Sequence, residues 1–221
     1  MTKREIAALV DHTLLRPEAT PGDIRKLCEE ARQFGFASVC INPYWVEIAS
    51  SEMKNSSVKV CTVVGFPLGA NTTAIKLAET SAALEAGALE IDMVLNIGEL
   101  RGGNREAVRE EIAALASITH RAGALLKVIL ETALLEDEQK CAACVLAKDA
   151  GADFVKTSTG FGPRGATAED VALMRRAVGP EMGVKASGGI RTLEDFRSMV
   201  AAGATRIGTS AGVKIVESVE R

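Results

Sequence analysis

The sequence predicts an α/β fold: a single (β/α)8 TIM barrel, with a short N-terminal helix ahead of the first strand. Three observations predict it. Apolar runs of strand length alternate with segments of helical period, eight of each. The phrase Ala-Gly-Ala returns just before a strand four times, at 86–88, 122–124, 150–152 and 202–204. The 221 residues also suit one such barrel, whose usual range begins near ~200 residues. A doubly wound open sheet is the rival. It usually carries a Gly-rich dinucleotide turn after the first strand, and no G-x-G-x-x-G occurs here.

The elements follow in order. Residues 3–9 form the leading helix, placed to cap the lower end of the barrel. Strands are expected at 9–14, 37–41, 59–64, 89–96, 125–131, 154–158, 184–187 and 206–210. Helices are expected at 21–34, 43–53, 72–86, 104–122, 136–150, 167–178, 193–202 and 211–220. Thr20 before Pro21 reads as an N-cap followed by proline at the first helical position. Thr192 likewise precedes Glu194 and Asp195, acids suited to a first turn. Gly35, Gly87, Gly123, Gly151, Gly179 and Gly203 each close a helical stretch, as left-handed C-terminal caps do. Nothing marks a linker, so residues 1–221 read as one catalytic domain.

Composition narrows the function. Lys and Arg number 26 against 29 acids, a net charge of -3, which argues against a nucleic-acid partner. Aromatic residues are only 4%, so base-stacking platforms are not expected. No apolar run approaches the ~20 residues of a membrane span, and the start lacks the apolar core of an export signal. Five cysteines, an odd number, fit a reducing cytoplasm most simply.

Charges interrupt strands that should read as continuous apolar runs. Asp92 sits between the apolar Ile91 and Met93 and Lys127 between Leu126 and Val128, while Lys156 and Lys185 follow Val155 and Val184. Alternation turns those neighbours toward the helices and the charges toward the barrel interior. The charges are expected near the C-terminal strand ends, where these barrels build active sites. One acid does not neutralise three lysines, even with help from Glu131, so a surplus of buried positive charge is expected. A buried salt-bridge network is the bland alternative. A surplus cation, however, has chemical use. Burial and a neighbouring cation both favour a neutral amine, so of two adjacent lysines one stays charged and the other becomes nucleophilic. Lys156 and Lys185 fit that pair, with Asp92 moving protons.

Two Gly-rich turns follow the last two strands, Ser187-Gly188-Gly189-Ile190 and Gly208-Thr209-Ser210-Ala211-Gly212. In such barrels these loops commonly hold phosphate. Ser158-Thr159-Gly160-Phe161-Gly162 after the sixth strand would add further N–H groups.

In combination, these motifs resemble the class I deoxyribose-phosphate aldolase family. The resemblance is carried by Val155-Lys156-Thr157-Ser158-Thr159-Gly160-Phe161 and Val184-Lys185-Ala186-Ser187-Gly188-Gly189-Ile190. Asp11-His12-Thr13-Leu14-Leu15, Val39-Cys40-Ile41-Asn42-Pro43, Val64-Gly65-Phe66-Pro67-Leu68-Gly69, Glu90-Ile91-Asp92-Met93-Val94-Leu95-Asn96 and Lys127-Val128-Ile129-Leu130-Glu131-Thr132 add to it. It implies reversible cleavage of 2-deoxy-D-ribose 5-phosphate to D-glyceraldehyde 3-phosphate and acetaldehyde, with no cofactor and no metal. It also implies a homodimer or homotetramer. Lys156 matches the Schiff-base lysine, Lys185 the second lysine that keeps it reactive, and Asp92 the aspartate of the proton relay. Asp11, Thr13, Cys40 and Lys127 match residues around the same pocket, and Gly160, Gly188, Gly189, Gly208 and Ser210 match its loops. Tyr44 is the only tyrosine, so members with a C-terminal tyrosine are not matched, and Pro163-Arg164 departs from the usual loop composition.

Other signals are weaker. Cys141-Ala142-Ala143-Cys144 lies within a helical run with no second pair at zinc spacing, and reads as packing. Cys40 is either a reactive pocket thiol or an inert strand residue. His12 neighbours Asp11 but points to the other face of its strand. Two other functions stay open: another enzyme acting on a phosphosugar, such as an epimerase, and a non-catalytic phosphosugar-binding protein.

Overall fold

The computed structural model describes residues 1–219. Its eight strands, β1 (Val10–Leu14), β2 (Ser38–Ile41), β3 (Lys59–Val64), β4 (Glu90–Val94), β5 (Leu125–Ile129), β6 (Phe154–Lys156), β7 (Gly183–Ser187) and β8 (Arg206–Thr209), form a closed barrel in chain order. Every pairing is parallel, and β1 closes on β8 through Val10–Ile207 and Asp11–Gly208. The barrel is the (β/α)8 architecture that the alternation of periods predicts.

The helices follow their capping signals. α1 (Lys3–Ala7) precedes the barrel, and α2 (Pro21–Phe34) starts at a capping box formed by Thr20 and Asp23. α3 (Val46–Glu52) is preceded by a single 3-10 turn, Pro43–Trp45. α4 (Thr73–Glu85), α5 (Ile97–Arg101), α6 (Arg105–Arg121), α7 (Asp137–Asp149), α8 (Ala168–Val178), α9 (Leu193–Ala201) and α10 (Gly212–Glu217) complete the outer ring. The expected last helix reaches Glu220, which lies outside the described residues. α5 has no counterpart in the expected elements. Asn96 caps it by accepting from the N–H of Glu99 at 3.2 Å, and the loop-like Gly102-Gly103 ends it. None of the helices among the described residues is long and apolar enough to cross a membrane.

The core has two parts. Ile91, Met93, Leu126, Val128, Val155 and Val184 turn outward and join the large cluster between sheet and helices. Burial of such side chains, about 1.5–3 kcal/mol each, is the main force holding the helices on the barrel. A small separate cluster, Leu15, Cys40, Cys61 and Val63, fills one side of the barrel interior. The other side of the interior is charged.

Candidate active site

Asp92, Lys127 and Lys185 are wholly buried, and Lys156 is nearly so. Asp92 and Lys127 are Cα partners on β4 and β5, and Lys156 and Lys185 on β6 and β7. Asp92 Oδ2 accepts from Lys156 Nζ at 2.8 Å and from Lys185 Nζ at 2.7 Å. Its Oδ1 accepts from Lys127 Nζ at 2.8 Å. One carboxylate therefore carries three ammonium groups.

The neutralisation differs from the sequence expectation. Glu131 takes no part: its carboxylate turns to the N–H and hydroxyl of Thr159. Instead, Lys127 pairs with Glu90 at 2.6 Å, and Asp11 pairs with Lys185. A fourth cation, Arg206, donates to Asp11 Oδ1 at 2.7 Å and to Glu90 Oε2 at 3.1 Å. Three carboxylates thus meet four cations, and the expected surplus of positive charge is present with a different membership. Glu90 and Arg206 stand at strand starts, and only the barrel's closure brings them together.

The depth of these groups also differs. Asp92, Lys127 and Lys185 occupy the middle of their strands, not the C-terminal ends. Each is the third of five strand residues, with two more following it before the loop. Lys156 alone of the four ends its strand. A cavity of about 360 Å³ opens above it, lined by Lys156, Thr13, Leu15, Phe161, Gly189 and Ser210 among others. Gly160, Gly188 and Gly208 also line it, whereas Asp11, Cys40, Lys127, Asp92 and Lys185 do not. Those five form the layer beneath, and Cys40 is fully buried against Cys61 in the apolar part of the interior.

Charge states follow from this packing. Burial alone would lift the Asp92 carboxyl, but the neighbouring lysine ammonium groups outweigh it and hold the acid well below the usual carboxylate range. Asp11 is drawn down in the same way, against burial, by Lys185 and Arg206. Burial pulls Lys127 and Lys185 down, yet the surrounding carboxylates overcome it and hold both above the ordinary lysine range. Burial pushes the Cys61 thiol well up, and a hydrogen bond with Cys61 draws Cys40 down.

The loops above present backbone N–H groups to the cavity. Among the described residues, the N–H groups of Gly160, Gly188, Gly189 and Ser210 have no hydrogen-bond acceptor. Gly189 has φ +81°, a left-handed conformation that glycine adopts without strain. Gly208 is small for a different reason. A Cβ there would collide with Ser187 Oγ and stand 3.1 Å from Lys185 Cε, so the glycine leaves room for the lysine. Arg16 and Arg191 line the same cavity and were not among the expected site residues. Both follow strand-end loops in the sequence, which was the signal available.

The wall formed by residues 159–162 is tied down by Glu131. That residue is buried, non-glycine and held at φ +54°. A strained conformation of this kind persists only where surrounding contacts enforce it. Phe161 meets Phe66 edge-on at 5.4 Å between ring centres.

Other candidates are placed elsewhere. His12 faces outward to Glu30 at 2.7 Å and packs on Phe36, away from Asp11. Cys141 and Cys144 are free thiols on α7. Asp11, Cys61 and Glu90, and likewise Cys40, Cys61 and Asp92, bring possible metal-binding atoms within 4.8 Å of one another. Their carboxylates already hold lysine and arginine, which is the wrong partner set for a cation site.

Comparison with known proteins agrees with this geometry. Residues 6–217 match the model of the DeoC/LacD family aldolases. A deoxyribose-phosphate aldolase of Caldanaerobacter subterraneus subsp. tengcongensis is 60% identical over 96% of this chain and 92% of its own. Another, from Thermococcus kodakarensis, is 58% identical over 98% of both chains. The deoxyribose phosphate aldolase of Aeropyrum pernix, described as a tetramer of unique structure, superposes with a TM-score of 0.92 at 39% identity, covering 98% of this chain and 92% of that one. A family match spanning residues 6–217, with relatives about 60% identical over nearly the whole chain and the same barrel, places the chain in the DeoC/LacD family of aldolases.

Proposed function

We propose that the protein reversibly cleaves 2-deoxy-D-ribose 5-phosphate to D-glyceraldehyde 3-phosphate and acetaldehyde through a Schiff base on Lys156. The observation that carries this reading is the placement of Lys156. It is the one lysine of the buried cluster that lines the cavity, and it shares an Asp92 oxygen with Lys185.

The steps follow from that geometry. The neutral Lys156 amine adds to the C1 aldehyde, and water leaves to give a protonated imine. The imine draws electrons from the C2–C3 bond as the C3 hydroxyl loses its proton. The bond breaks, the three-carbon phosphoaldehyde departs, and an enamine remains on the lysine. Protonation at C2 and hydrolysis by water release acetaldehyde and restore the amine. Asp92 Oδ2 gives a proton a hydrogen-bonded route between Lys185 and Lys156. Asp11, Lys127 and Cys40 act from below, by holding that route in place. Thr13 faces the substrate, its hydroxyl donating to the Asp11 carbonyl at 2.8 Å. The phosphate is held by the N–H groups of Gly188, Gly189, Gly160 and Ser210, beside the small Gly208.

The chain acts as one catalytic domain and assembles as a homodimer or homotetramer, in line with the Aeropyrum pernix enzyme. Its five free cysteines fit a reducing cytoplasm. The deciding experiment mixes the protein with the sugar phosphate or acetaldehyde and borohydride, with EDTA present, and maps the adduct by mass spectrometry. A reduced adduct on Lys156 is expected. A folded protein that binds the sugar phosphate but forms no adduct would overturn the mechanism.

A further inference from the structure

We infer that Arg206, at the base of the barrel interior, sets the charge state in which Lys156 reacts, by charge and without touching the substrate. It is a positioning residue, and the inference rests on the Schiff-base reading above. Lys156, Lys185 and Arg206 are Cα partners across β6, β7 and β8. Arg206 therefore stands two strand spacings from Lys156, about 10 Å. Its guanidinium is fixed by Asp11 and Glu90 and lies over the Phe154 ring, 5.4 Å from the ring centre. It does not line the substrate cavity.

Every strand sends a titratable or charged group toward this interior. They are Asp11, Cys40, Cys61, Glu90 with Asp92, Lys127, Lys156, Lys185 and Arg206, from β1 to β8 in turn. The thiols do not enter the balance: Cys61 is a hydrogen-bond donor to Asp92 at 3.2 Å. Cys40 is drawn down by its hydrogen bond with Cys61, but its Sγ lies within 4.8 Å of the Asp92 carboxylate, whose charge opposes a second anion, and it is counted as a thiol. Above Lys156, Arg16 is paired with Glu18 and Asp23, Arg191 lines the cavity, and Glu131 is turned to Thr159. Within the interior layer itself, below that cavity, three carboxylates meet four cations.

One proton is thus in surplus, and its place can be assigned. A guanidinium does not give up its proton in a protein. Lys127 lies within 2.8 Å of both Glu90 and Asp92, and Lys185 contacts both Asp11 and Asp92. Lys156 contacts one carboxylate only, and shares that oxygen with Lys185. Lys156 is the cation that leaves the cluster balanced when it loses its proton, and it is the one that faces the cavity. Without Arg206 the count becomes three against three. The surplus vanishes, and Lys156 keeps its proton.

The test follows the pH dependence of acetaldehyde trapping on Lys156 by cyanoborohydride, read by mass spectrometry. At ~10 Å and an effective dielectric of about 20, removing one charge moves the profile by about one pH unit, or tenfold in rate at fixed pH below the midpoint. Arg206→Met is expected to move the midpoint up by that amount, and Arg206→Lys to restore it. Glu90→Gln, which enlarges the surplus and keeps the side-chain shape, is expected to move it down. Arg206→Met with Glu90→Gln restores a surplus of one, and is expected to return the midpoint to within about half a unit of the parent. A purely structural role would make the double variant worse. If Arg206→Met does not fold, Glu90→Gln alone decides, and a midpoint that stays or rises overturns the inference. Trapping that persists with an unmoved profile overturns the inference and leaves the Schiff-base reading standing. Absence of any Lys156 adduct in the parent protein overturns that reading instead.

Discussion

Replacing Lys127 by methionine removes a charge from the centre of the barrel without removing much volume. The Lys127 ammonium is fully buried, 2.6 Å from Glu90, 2.8 Å from Asp92 and 4.0 Å from Asp11. Its loss leaves Glu90 and Asp92 ionised with one fewer partner each. Removing one member of a buried ion pair typically costs about 3–5 kcal/mol, far more than the ~1.5 kcal/mol ceiling of a volume-conserving hydrophobic swap. For a chain of this length that is a fall in Tm of about 10 °C. The pH dependence gives the diagnostic sign. Lys127 holds Asp92 below its ordinary range, so that stabilisation is present above the unfolded carboxylate value of ~3.9 and is lost as pH falls through the folded value. The variant's deficit is therefore largest near neutrality and shrinks in acid, where its carboxylates take up protons first. Thermal unfolding followed by circular dichroism at pH 7 and about pH 3, below the unfolded carboxylate value, checks both points. A variant that melts within about 2 °C of the parent at pH 7, or whose deficit grows in acid, would refute the ion-pair account.

Ser210→Asp places an anion among the free N–H groups of the cavity loops. KM for the sugar phosphate is expected to rise at least about tenfold, while kcat/KM for unphosphorylated deoxyribose stays near the parent value; steady-state kinetics on both sugars reads the difference. Glu131→Ala frees the Thr159 loop and is expected to raise KM without moving the pH profile of Lys156 trapping. Glu131→Gln keeps a carbonyl acceptor for Thr159 and is expected to lose less. Acid titration should show the stability held by Asp11 and Asp92 intact above about pH 4.5 and lost progressively below it, since both are depressed in the folded state and the unfolded carboxylates begin to bind protons near ~3.9. Unfolding centred near pH 5 would contradict that.

The barrel was legible in the sequence because its two periods alternate and its caps are unambiguous. Thr20–Asp23 and Thr192–Asp195 form the capping boxes that the residue types announce, and Gly35, Gly87 and Gly203 take positive φ where helices end. α5 was missed since five residues hold too little periodicity to distinguish from loop, and the Gly102-Gly103 pair reads as loop. The four charged strand residues were visible as violations of an apolar pattern. Glu90 and Arg206 were not, because a charge at the start of a strand looks like an ordinary solvent-facing residue. Only the register, which sets β8 against both β7 and β1, turns Arg206 toward Asp11. Depth was hidden for a related reason: where the ladder ends depends on the neighbouring strand, which one strand's residues do not specify.

Asp11 and Arg206 are 195 positions apart and are joined across the seam where the first strand meets the last. This has a consequence for how the chain reaches its native state. A barrel lacking β8 would expose Asp11, and a barrel lacking β1 would leave Arg206 and Lys185 short of a carboxylate in a low-dielectric interior. Either open form loses the Asp11–Arg206 pair, so the seam is expected to open together with the rest of the ring. Amides of β1 and β8 should then exchange with solvent only through the same global opening, with matching protection, despite lying at opposite ends of the polypeptide.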